Sequence, residues 1–425
     1  MYPYQAIVQM ENFERRHKGK MKRLVIPLMM VVLVVALLFA GCAAPAAPTT
    51  PTTPTTPTTP TTPTTPTTPT TPTEPAPDAL NPFGEDFAVK PDGTPVRAVL
   101  TIIHMGGAWS AFAGHIWEEY MDRAGANYSL HDAQKDAGKM VSDMEDFLIM
   151  EPDMIFVQAV DGKAAVPPVE ALMNAGIPVF GWDVLPETDN IVATVNHTDA
   201  DLGTTAGEFV IEEFERLGKP GRVYTCQGML SMSQTIQRHA AFLEAIEGSN
   251  VEAVAECEAS WSDENCLHCI EAAFTADPDL NAIFTHGGML NGAVEALRGM
   301  GKLYPVGDPN HVVCVTIDEG EATCQIIHDG YGDAVSKHSP WDDVDYMVKT
   351  AFWYVVCGQP VPQKHLLQGT YPITHDMIVE DLEKDLPLFW GNCLLKGIDY
   401  DQMPVLDNQY VETPTLADRM SLAGY

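Results

Sequence analysis

Short apolar runs alternate with longer amphipathic stretches from Arg97 to Val356, which indicates alternating strands and helices. The predicted strands are Arg97–Ile103, Asp153–Val160, Ile177–Trp182, Ile191–Val195, Arg222–Cys226, Val251–Ala255, Asn281–Thr285, Val312–Ile317 and Asp333–Lys337. The predicted helices are Phe112–Ala124, Val166–Asn174, Leu202–Leu217, Gln234–Ile246, Asn265–Phe274, Gly292–Met300, Ala322–Ile327 and Val344–Val356. Apolar strands alternating with helices form parallel sheets covered on both faces. There are more units than one open sheet holds, so we expect an α/β fold of two doubly wound α/β/α lobes joined by a hinge.

A different pattern precedes this folded body. Two basic residues are followed by an uncharged apolar run, Leu24–Ala40, and then by small residues. This layout is typical of a secretory signal peptide. A transmembrane anchor is the alternative, but the 17 residues of the run would span only about 26 Å of a hydrocarbon core of about 30 Å. We therefore expect residues 1–41 to be a signal peptide, and a start at Met21 is an alternative because residues 1–20 precede a complete signal.

The residues after the apolar run indicate a lipid anchor and a linker. Phe39-Ala40-Gly41-Cys42 resembles the lipobox of bacterial lipoproteins, in which the cysteine is acylated and becomes the mature N-terminus, although Phe39 stands where Leu is usual. From Pro48 to Thr73 proline recurs at every third position, which prevents helix and sheet and favours extended polyproline II. These 26 residues reach about 80 Å. Residues 42–78 are therefore expected to hold the folded body away from a membrane through lipid on Cys42.

Charge narrows the possible partners. Without residues 1–41 the chain has 18 basic and 56 acidic residues, a net charge of −38. Such a surface repels nucleic acid and anionic lipid headgroups, so neither is expected as a partner. Hydrophobic residues make up 45% of the sequence, which is enough to build real cores. No second long apolar run follows Ala40, so the body is not expected to span a membrane.

Eight cysteines follow Cys42, and an even number outside the cytoplasm permits disulfides without fixing their pairing. Cys266 and Cys269 form a C-x-x-C motif, which suits a redox pair or half of a zinc site. A zinc site would need two more ligands, for which Cys257 and His268 are the nearest candidates. A structural disulfide or buried thiols on a helix is the preferred interpretation, and neither a metal site nor a cofactor is expected.

Aromatic and polar residues follow the predicted strands, at the edge where doubly wound folds bind their ligands. Four of the seven tryptophans fall at strand ends, namely Trp109, Trp182, Trp261 and Trp341. For any one of them core packing is the alternative, as it is for Trp117 and Trp353 in helices. The polar residues at the same edge are His104, Asp183, Asn196, His197, Asp199, His286, Asp318 and His338.

This combination of side chains favours a neutral polyhydroxylated ligand. Aromatic faces cover the apolar C–H face of such a molecule, and acidic, amide and imidazole groups pair with its hydroxyls. An anionic ligand would need more cations. Among the residues at the predicted strand ends and at the start of the helix Gln234–Ile246, Arg238 is the only cationic side chain.

From Ala98 to about Gln368 the chain resembles the type I periplasmic sugar-binding proteins of the ribose- and galactose-binding branch. The segments that carry the resemblance are Asp132–Asp136, Pro152–Val160, Ala175–Asp183, Gln237-Arg238 with Phe242, and Asp277–Phe284. Their spacing agrees throughout, although no single motif is diagnostic alone.

The resemblance implies ligand contacts at particular positions. Trp109 matches the aromatic residue that stacks on the sugar, and Asp183 and Arg238 match the ligand-binding aspartate and arginine. Two departures leave open which sugar is bound, and whether the ligand is a sugar. Val184 replaces a common arginine, and His286-Gly287-Gly288 replaces an Asn-Asp pair, so that one hydroxyl partner is either missing or supplied by His286. The complete expected set is His104, Trp109, Trp182, Asp183, Asp199, Arg238, Trp261, His286, Asp318 and His338.

The resemblance also implies a mechanism and partners. Residues 79–197 with about 339–366 would form the N-terminal lobe and 198–338 the C-terminal lobe, while 367–425 would return to the second lobe and extend beyond it. Crossings near Asn196–Thr198, Ser336–Pro340 and Leu367–Thr370 would act as the hinge. Periplasmic binding proteins close their lobes around a ligand by hinge motion. We expect a monomeric lipoprotein, outside the cytoplasm, that delivers its ligand to an ABC permease.

Other classes of protein remain as alternatives. A lactose-repressor-type regulator shares this fold but needs a helix-turn-helix where this chain has a signal and a linker. An enzyme is disfavoured because the sequence contains no G-x-S-x-G, H-E-x-x-H or P-loop motif. A sensory receptor that passes a ligand signal to a membrane partner would have the same binding residues. A binding protein for a solute other than a sugar is a further alternative.

Overall fold

The computed structural model describes residues 87–90, 92–361, 363–404 and 406. The expected signal peptide (1–41), Cys42, the linker (42–78) and the last residues of the tail lie outside these ranges. Within them, no helix combines the length and the apolar character needed to cross a membrane.

Twelve strands are described, and most have the alternating or fully apolar sequences expected of buried sheets. They are β1 (Arg97–Ile102), β2 (Asn127–Asp132), β3 (Met154–Val157), β4 (Val179–Trp182), β5 (Ala193–His197), β6 (Gly221–Gln227), β7 (Val251–Glu258), β8 (Ala282–Thr285), β9 (Val313–Ile317), β10 (Ala334–Ser336), β11 (His365–Gln368) and β12 (Pro372–Thr374).

The described α-helices follow the strands in the order that crossover connections require. They are α1 (Ala108–Ala124), α2 (Ala137–Met150), α3 (Val166–Asn174), α4 (Asp199–Leu217), α5 (Ser233–Ile246), α6 (Asp263–Ala276), α7 (Leu290–Gly299), α8 (Glu321–His328), α9 (Pro340–Val355), α10 (His375–Glu383) and α11 (Trp390–Leu395). A short 3-10 turn, Tyr400–Gln402, follows α11.

The strands form two six-stranded sheets with matching topology. The first has the order β11-β5-β4-β3-β1-β2 with every neighbouring pair parallel. The second has the order β12-β10-β9-β8-β6-β7, parallel except for the antiparallel edge strand β12. Each sheet therefore repeats the 2-1-3-4-5 order, whose ligand crevice lies at the carboxyl ends of the first and third strands. The predicted fold of two doubly wound lobes is confirmed.

Helices cover both faces of each sheet and divide the core into four clusters. In the first lobe α1 and α9 pack on one face, with α2 and α3 on the other. In the second lobe α4 and α5 cover one face, while α6, α7 and α8 cover the opposite face. Both faces of the sheets are thus buried, which explains the continuous apolar sequences of β3 and β8.

The sequence pattern did not predict β2 or α2. The six residues of β2, NYSLHD, are mostly polar, because this strand lies at the edge of the sheet and none of its residues is fully buried. An edge strand lacks the apolar run that marks a central one. α2 begins at the capping side chain of Asp136, which accepts hydrogen bonds from the backbone N–H groups of Gly138 and Lys139.

The chain passes between the two sheets at three places. It leaves the first sheet after β5 and enters α4, returns from β10 into α9, and crosses again between β11 and β12. Ser339 accepts a hydrogen bond from the N–H of Asp342 and caps α9, and Pro340 occupies its first turn. The second crossing is therefore the three residues Lys337, His338 and Ser339.

The tail beyond β12 connects the two lobes a further time. Phe389 packs in a core cluster of the second lobe, whereas Trp390, Cys393 and Met403 pack in a core cluster of the first. The ring of Trp390 lies 5.0 Å from that of Phe112 on α1. We call Phe389, Trp390, Cys393 and Met403 the tail contact.

One disulfide lies in the second lobe. It joins Cys257 at the end of β7 to Cys269 on α6, while Cys266 is a buried thiol. The two cysteines of the C-x-x-C motif therefore do not pair with each other. This agrees with the preferred interpretation of a structural disulfide or buried thiols on a helix, because Cys269 forms a disulfide and Cys266 is a buried thiol.

Candidate functional site

A single imidazole connects carboxylates of the two lobes. His338 lies in the second crossing, with its Nδ1 2.7 Å from Asp318 Oδ1 and its Nε2 3.4 Å from Asp183 Oδ1. Asp183 follows β4 of the first sheet, and Asp318 follows β9 of the second. Both aspartates have positive φ, 51° and 71°, a region that non-glycine residues rarely adopt. The chain thus turns sharply at both strand ends where these carboxylates approach His338.

The charges of this group depend on each other. Burial would by itself lower the pKa of the His338 imidazole, but hydrogen bonds to Asp183 and Asp318 outweigh it and raise the pKa to about 10. Burial would likewise raise the pKa of the Asp183 carboxyl, yet the hydrogen bond and charge of His338 lower it overall. The result is a protonated imidazole between two carboxylates.

An aromatic stack lies beside His338. Trp109, in the first turn of α1, donates a hydrogen bond of 2.9 Å from its Nε1 to the His338 carbonyl oxygen. The Trp109 ring stacks on the His338 ring, with 4.9 Å between centroids and 19° between planes. The Trp182 ring is also stacked with that of Trp109, with 5.8 Å between centroids and 15° between planes. Trp109 is therefore held by two ring contacts and by a hydrogen bond.

Gln158 is a residue of this site that sequence reasoning missed. Its Nε2 donates to Asp183 Oδ2 at 2.6 Å, and its Oε1 accepts from the Ile103 N–H at 2.9 Å. The predicted strand Asp153–Val160 contained Gln158, but β3 ends at Val157. Its position directly after a buried strand was the available signal.

The second lobe contributes a buried arginine. Arg238 on α5 donates from Nε to Asp199 Oδ1 at 2.8 Å and from Nη1 to the His286 carbonyl oxygen at 2.7 Å. Burial opposes the charge of Arg238, but the negative charges of Asp199, Asp318 and Asp183 raise its pKa above the ordinary value. The guanidinium is therefore charged and oriented by the first residue of α4.

Trp261 lies close to the backbone of two glycines. A Cβ on Gly228 would overlap the Trp261 ring, and one on Gly287 would lie 3.0 Å from it and 3.0 Å from Asp318 Oδ2. Only glycine allows this close approach of the loops after β6 and β8. Trp261 is thereby brought near Asp318.

Three residues of the expected set, His104, His286 and Trp182, do not present polar groups to the cluster around His338. The same is true of Trp341, the fourth strand-end tryptophan. The His104 ring accepts a hydrogen bond from the Gly106 N–H within its own loop. The His286 ring lies inside the second lobe, 5.1 Å from the Phe284 ring, and only its backbone oxygen reaches Arg238. Trp182 has no exposed surface. Trp341 is buried in the core of the first lobe and donates to the Tyr120 hydroxyl.

For Trp341, which was outside the expected ligand-binding set, the alternative of core packing holds. The reason is that Trp341 belongs to the first turn of α9, whose inner face packs on the first sheet. Trp109 and Trp261 remain the two strand-end tryptophans that are only partly buried.

Comparison with known proteins identifies the family to which this geometry belongs. Residues 98–359 match the family described as periplasmic binding protein domain. The ribose import binding protein RbsB of Bacillus subtilis (strain 168) is 27% identical over 186 residues, 44% of this chain and 60% of that protein. The xylose/arabinose-binding protein XylF of Sulfolobus acidocaldarius is 27% identical over 251 residues, 57% of this chain and 62% of that protein.

Solved structures share the fold. The crystal structure of a galactofuranose binding protein superposes with a TM-score of 0.62 at 21% sequence identity, covering 68% of this chain and 98% of the other. The chain matches about 60% of the length of the curated relatives above.

Proposed function

The chain belongs to the periplasmic binding protein domain family, and from that membership we propose that it captures a small neutral polyhydroxylated ligand, most simply a sugar, by binding and not by catalysis. The observation that carries the proposal is the convergence of Asp183, Asp318 and His338 from both lobes beside the ring of Trp109. These are the groups that a sugar requires.

Each part of the site has a role in this proposal. The ring of Trp109 now stacks on the His338 ring, and it would exchange that contact for the apolar face of the sugar. Carboxylates of Asp183 and Asp318 accept hydrogen bonds from hydroxyls, and the Arg238 guanidinium donates to ring or hydroxyl oxygens. The carboxylates now pair with His338, and Arg238 now pairs with Asp199 and the His286 carbonyl oxygen, so a ligand would exchange protein–protein hydrogen bonds for protein–ligand ones. Such an exchange keeps buried polar groups satisfied.

Closure of the two lobes is the proposed motion. The three crossings act as the hinge, and the ligand favours the closed form because only that form brings both carboxylates to it. The closed form then presents surfaces of both lobes to an ABC permease. A lipid on Cys42 and the linker 42–78 keep the protein at the outer side of the membrane, where tethering raises the local encounter concentration.

The experiment is a thermal-shift screen of the purified protein against pentoses, hexoses, polyols, nucleosides and autoinducers. A ligand that binds only the folded state at 100 times its Kd stabilises that state by about 2.7 kcal/mol and raises the Tm. Asp183→Ala and Arg238→Ala should each weaken the affinity for the hit by at least roughly 10–100-fold, because each removes a charged hydrogen-bonding group.

Asp153→Ala is the matched control, because this carboxylate of the first lobe pairs with Lys90 away from the cleft. Its affinity should equal that of the unmodified protein. A screen without any hit, or full affinity in Asp183→Ala and Arg238→Ala, would contradict the proposed function.

A further inference from the structure

A second group of buried polar side chains lies where the chain crosses between the lobes. His197 ends β5 before the first crossing, His338 lies in the second crossing, and Asp343 lies in the first turn of α9. One ligand atom of each lies within 4.8 Å of the other two. The exposed fractions are 4%, 5% and 0% for His197, His338 and Asp343.

Two members of this group have buried polar atoms without a hydrogen-bond partner. Among the described residues, neither ring nitrogen of His197 has a partner, and neither does Oδ2 of Asp343. The nearest approach between them is 3.4 Å, from His197 Nδ1 to Asp343 Oδ1. Nearly all buried polar atoms in folded proteins are paired, because burial without a partner is unfavourable. Three unpaired atoms in one cluster therefore require an explanation.

The other contacts of the cluster orient these side chains. His338 Nδ1 is engaged by Asp318, while its Nε2 lies 3.4 Å from Asp183 Oδ1, and a bound ion would displace the proton on Nε2 and replace this contact. Asp343 Oδ1 accepts a 2.7 Å hydrogen bond from Gln368 Nε2, next to the third crossing. Histidines that bind metals commonly donate their other N–H to a carboxylate, and carboxylates that bind metals are themselves hydrogen-bonded. Asp318 and Gln368 stand in these supporting positions.

We propose that His197, His338 and Asp343 form a binding site for a divalent transition-metal ion of the zinc class at the hinge. Two imidazoles and one carboxylate are a ligand set that zinc accepts, with the fourth position left to water or to a neighbouring carboxylate. Ligand atoms around a tetrahedral zinc ion lie about 3.3 Å apart. The 3.4 Å between His197 and Asp343 already matches that spacing.

Because the ligands and Gln368 come from segments next to all three crossings, a bound ion would join these segments. The sequence offered no metal motif, since His197 and Asp343 are far apart in the chain.

Zinc titration of the full-length protein tests this site directly. Chelator-treated protein is titrated with zinc chloride by calorimetry, and an uptake of one ion with a rise in Tm is expected. His197→Ala removes a ligand and should weaken zinc affinity by more than about 100-fold. Gln368→Leu removes a supporting hydrogen bond without touching a ligand and should weaken it by about 10–100-fold. This variant serves as the test if His197→Ala lacks a native circular-dichroism spectrum.

Cobalt provides a second readout. Cobalt(II) should give visible absorption of a tetrahedral site in the unmodified protein and not in His197→Ala. His365→Ala is the matched control, because His365 is an exposed histidine that contacts Thr194 at 2.9 Å. Its zinc affinity should be unchanged.

Three results would overturn the site. If water instead of a metal ion fills the space between these side chains, the protein takes up no stoichiometric zinc. Equal uptake by His197→Ala, or loss of uptake in His365→Ala, would assign the zinc to exposed histidines. The site does not depend on the proposed sugar binding, because ligand affinity is measured separately on the metal-free protein.

Discussion

The two lobes are joined by contacts of opposite chemistry. Around His338 the connection is polar, with a hydrogen bond from the imidazole to Asp318 of one lobe and an ion pair with Asp183 of the other. In the tail contact it is apolar, with Phe389 in a core of the second lobe and Trp390 in a core of the first. Hydrogen bonds between polar groups can be replaced by hydrogen bonds to a ligand, whereas exposing a buried indole to water is unfavourable. The difference indicates that ligand-dependent change belongs to the hinge side and that the tail acts as a fixed tether.

Disrupting the tail contact should have the largest effect on the free energy of unfolding. Trp390→Ala removes a fully buried ring that packs on Phe112, and such truncations typically lower the free energy of unfolding by about 3–5 kcal/mol. Urea unfolding followed by circular dichroism measures the change. Leu388→Ala is the control two residues earlier, since Leu388 is 53% exposed and should change stability by less than about 0.5 kcal/mol. Equal losses in both variants would show that the tail contact does not depend on Trp390.

A smaller change tests how closely the tail approaches the loop after β9. Gly391 donates its N–H to the Glu319 carbonyl oxygen, and a Cβ at this position would lie 2.6 Å from the Gly320 carbonyl oxygen. Gly391→Ala should therefore lower the free energy of unfolding by about 1–3 kcal/mol through overpacking. Gly369→Ala is the control, because a Cβ there meets nothing within 4 Å. An unchanged urea midpoint for Gly391→Ala would mean that the tail can move away from the loop without loss.

The smallest expected effect on stability comes from a histidine–carboxylate pair that belongs neither to the contacts of His338 nor to the tail contact. His311 Nε2 lies 2.9 Å from Asp333 Oδ2, and its Nδ1 lies 2.7 Å from the Tyr304 carbonyl oxygen. Burial would lower the pKa of His311, but the hydrogen bond and charge of Asp333, with a smaller contribution from Glu213, raise it.

The sign of the pH dependence follows from this raised pKa. The pair stabilises the fold fully below the unfolded-state pKa of about 6.5, and the stabilisation is lost as the pH rises through the higher folded-state pKa. Stability curves of His311→Gln should lack this decline. If both proteins lose stability equally over that range, another group is responsible.

The α/β alternation was predictable because apolar strands and amphipathic helices leave a strong periodic signal. β2 escaped prediction because an edge strand buries little and its residues are polar. Strand ends were less certain than strands themselves: Gln158 was placed within a strand, although it lies just after one and hydrogen-bonds to Asp183. The environment of Trp341 stayed open, because a strand-end position in the sequence does not say which way the following helix faces.

The sequence by itself determined the two doubly wound lobes, the edge at which polar groups collect, and the expectation of an exported chain with a linker. Those features depend on local composition and period, which a linear chain displays directly. Only the tertiary structure decided that His338 bridges Asp183 and Asp318, that Asp343 and Gln368 lie beside His197, and that the tail packs into both lobes. These contacts join residues far apart in the chain, and their partners are chosen by the packing of whole sheets and helices.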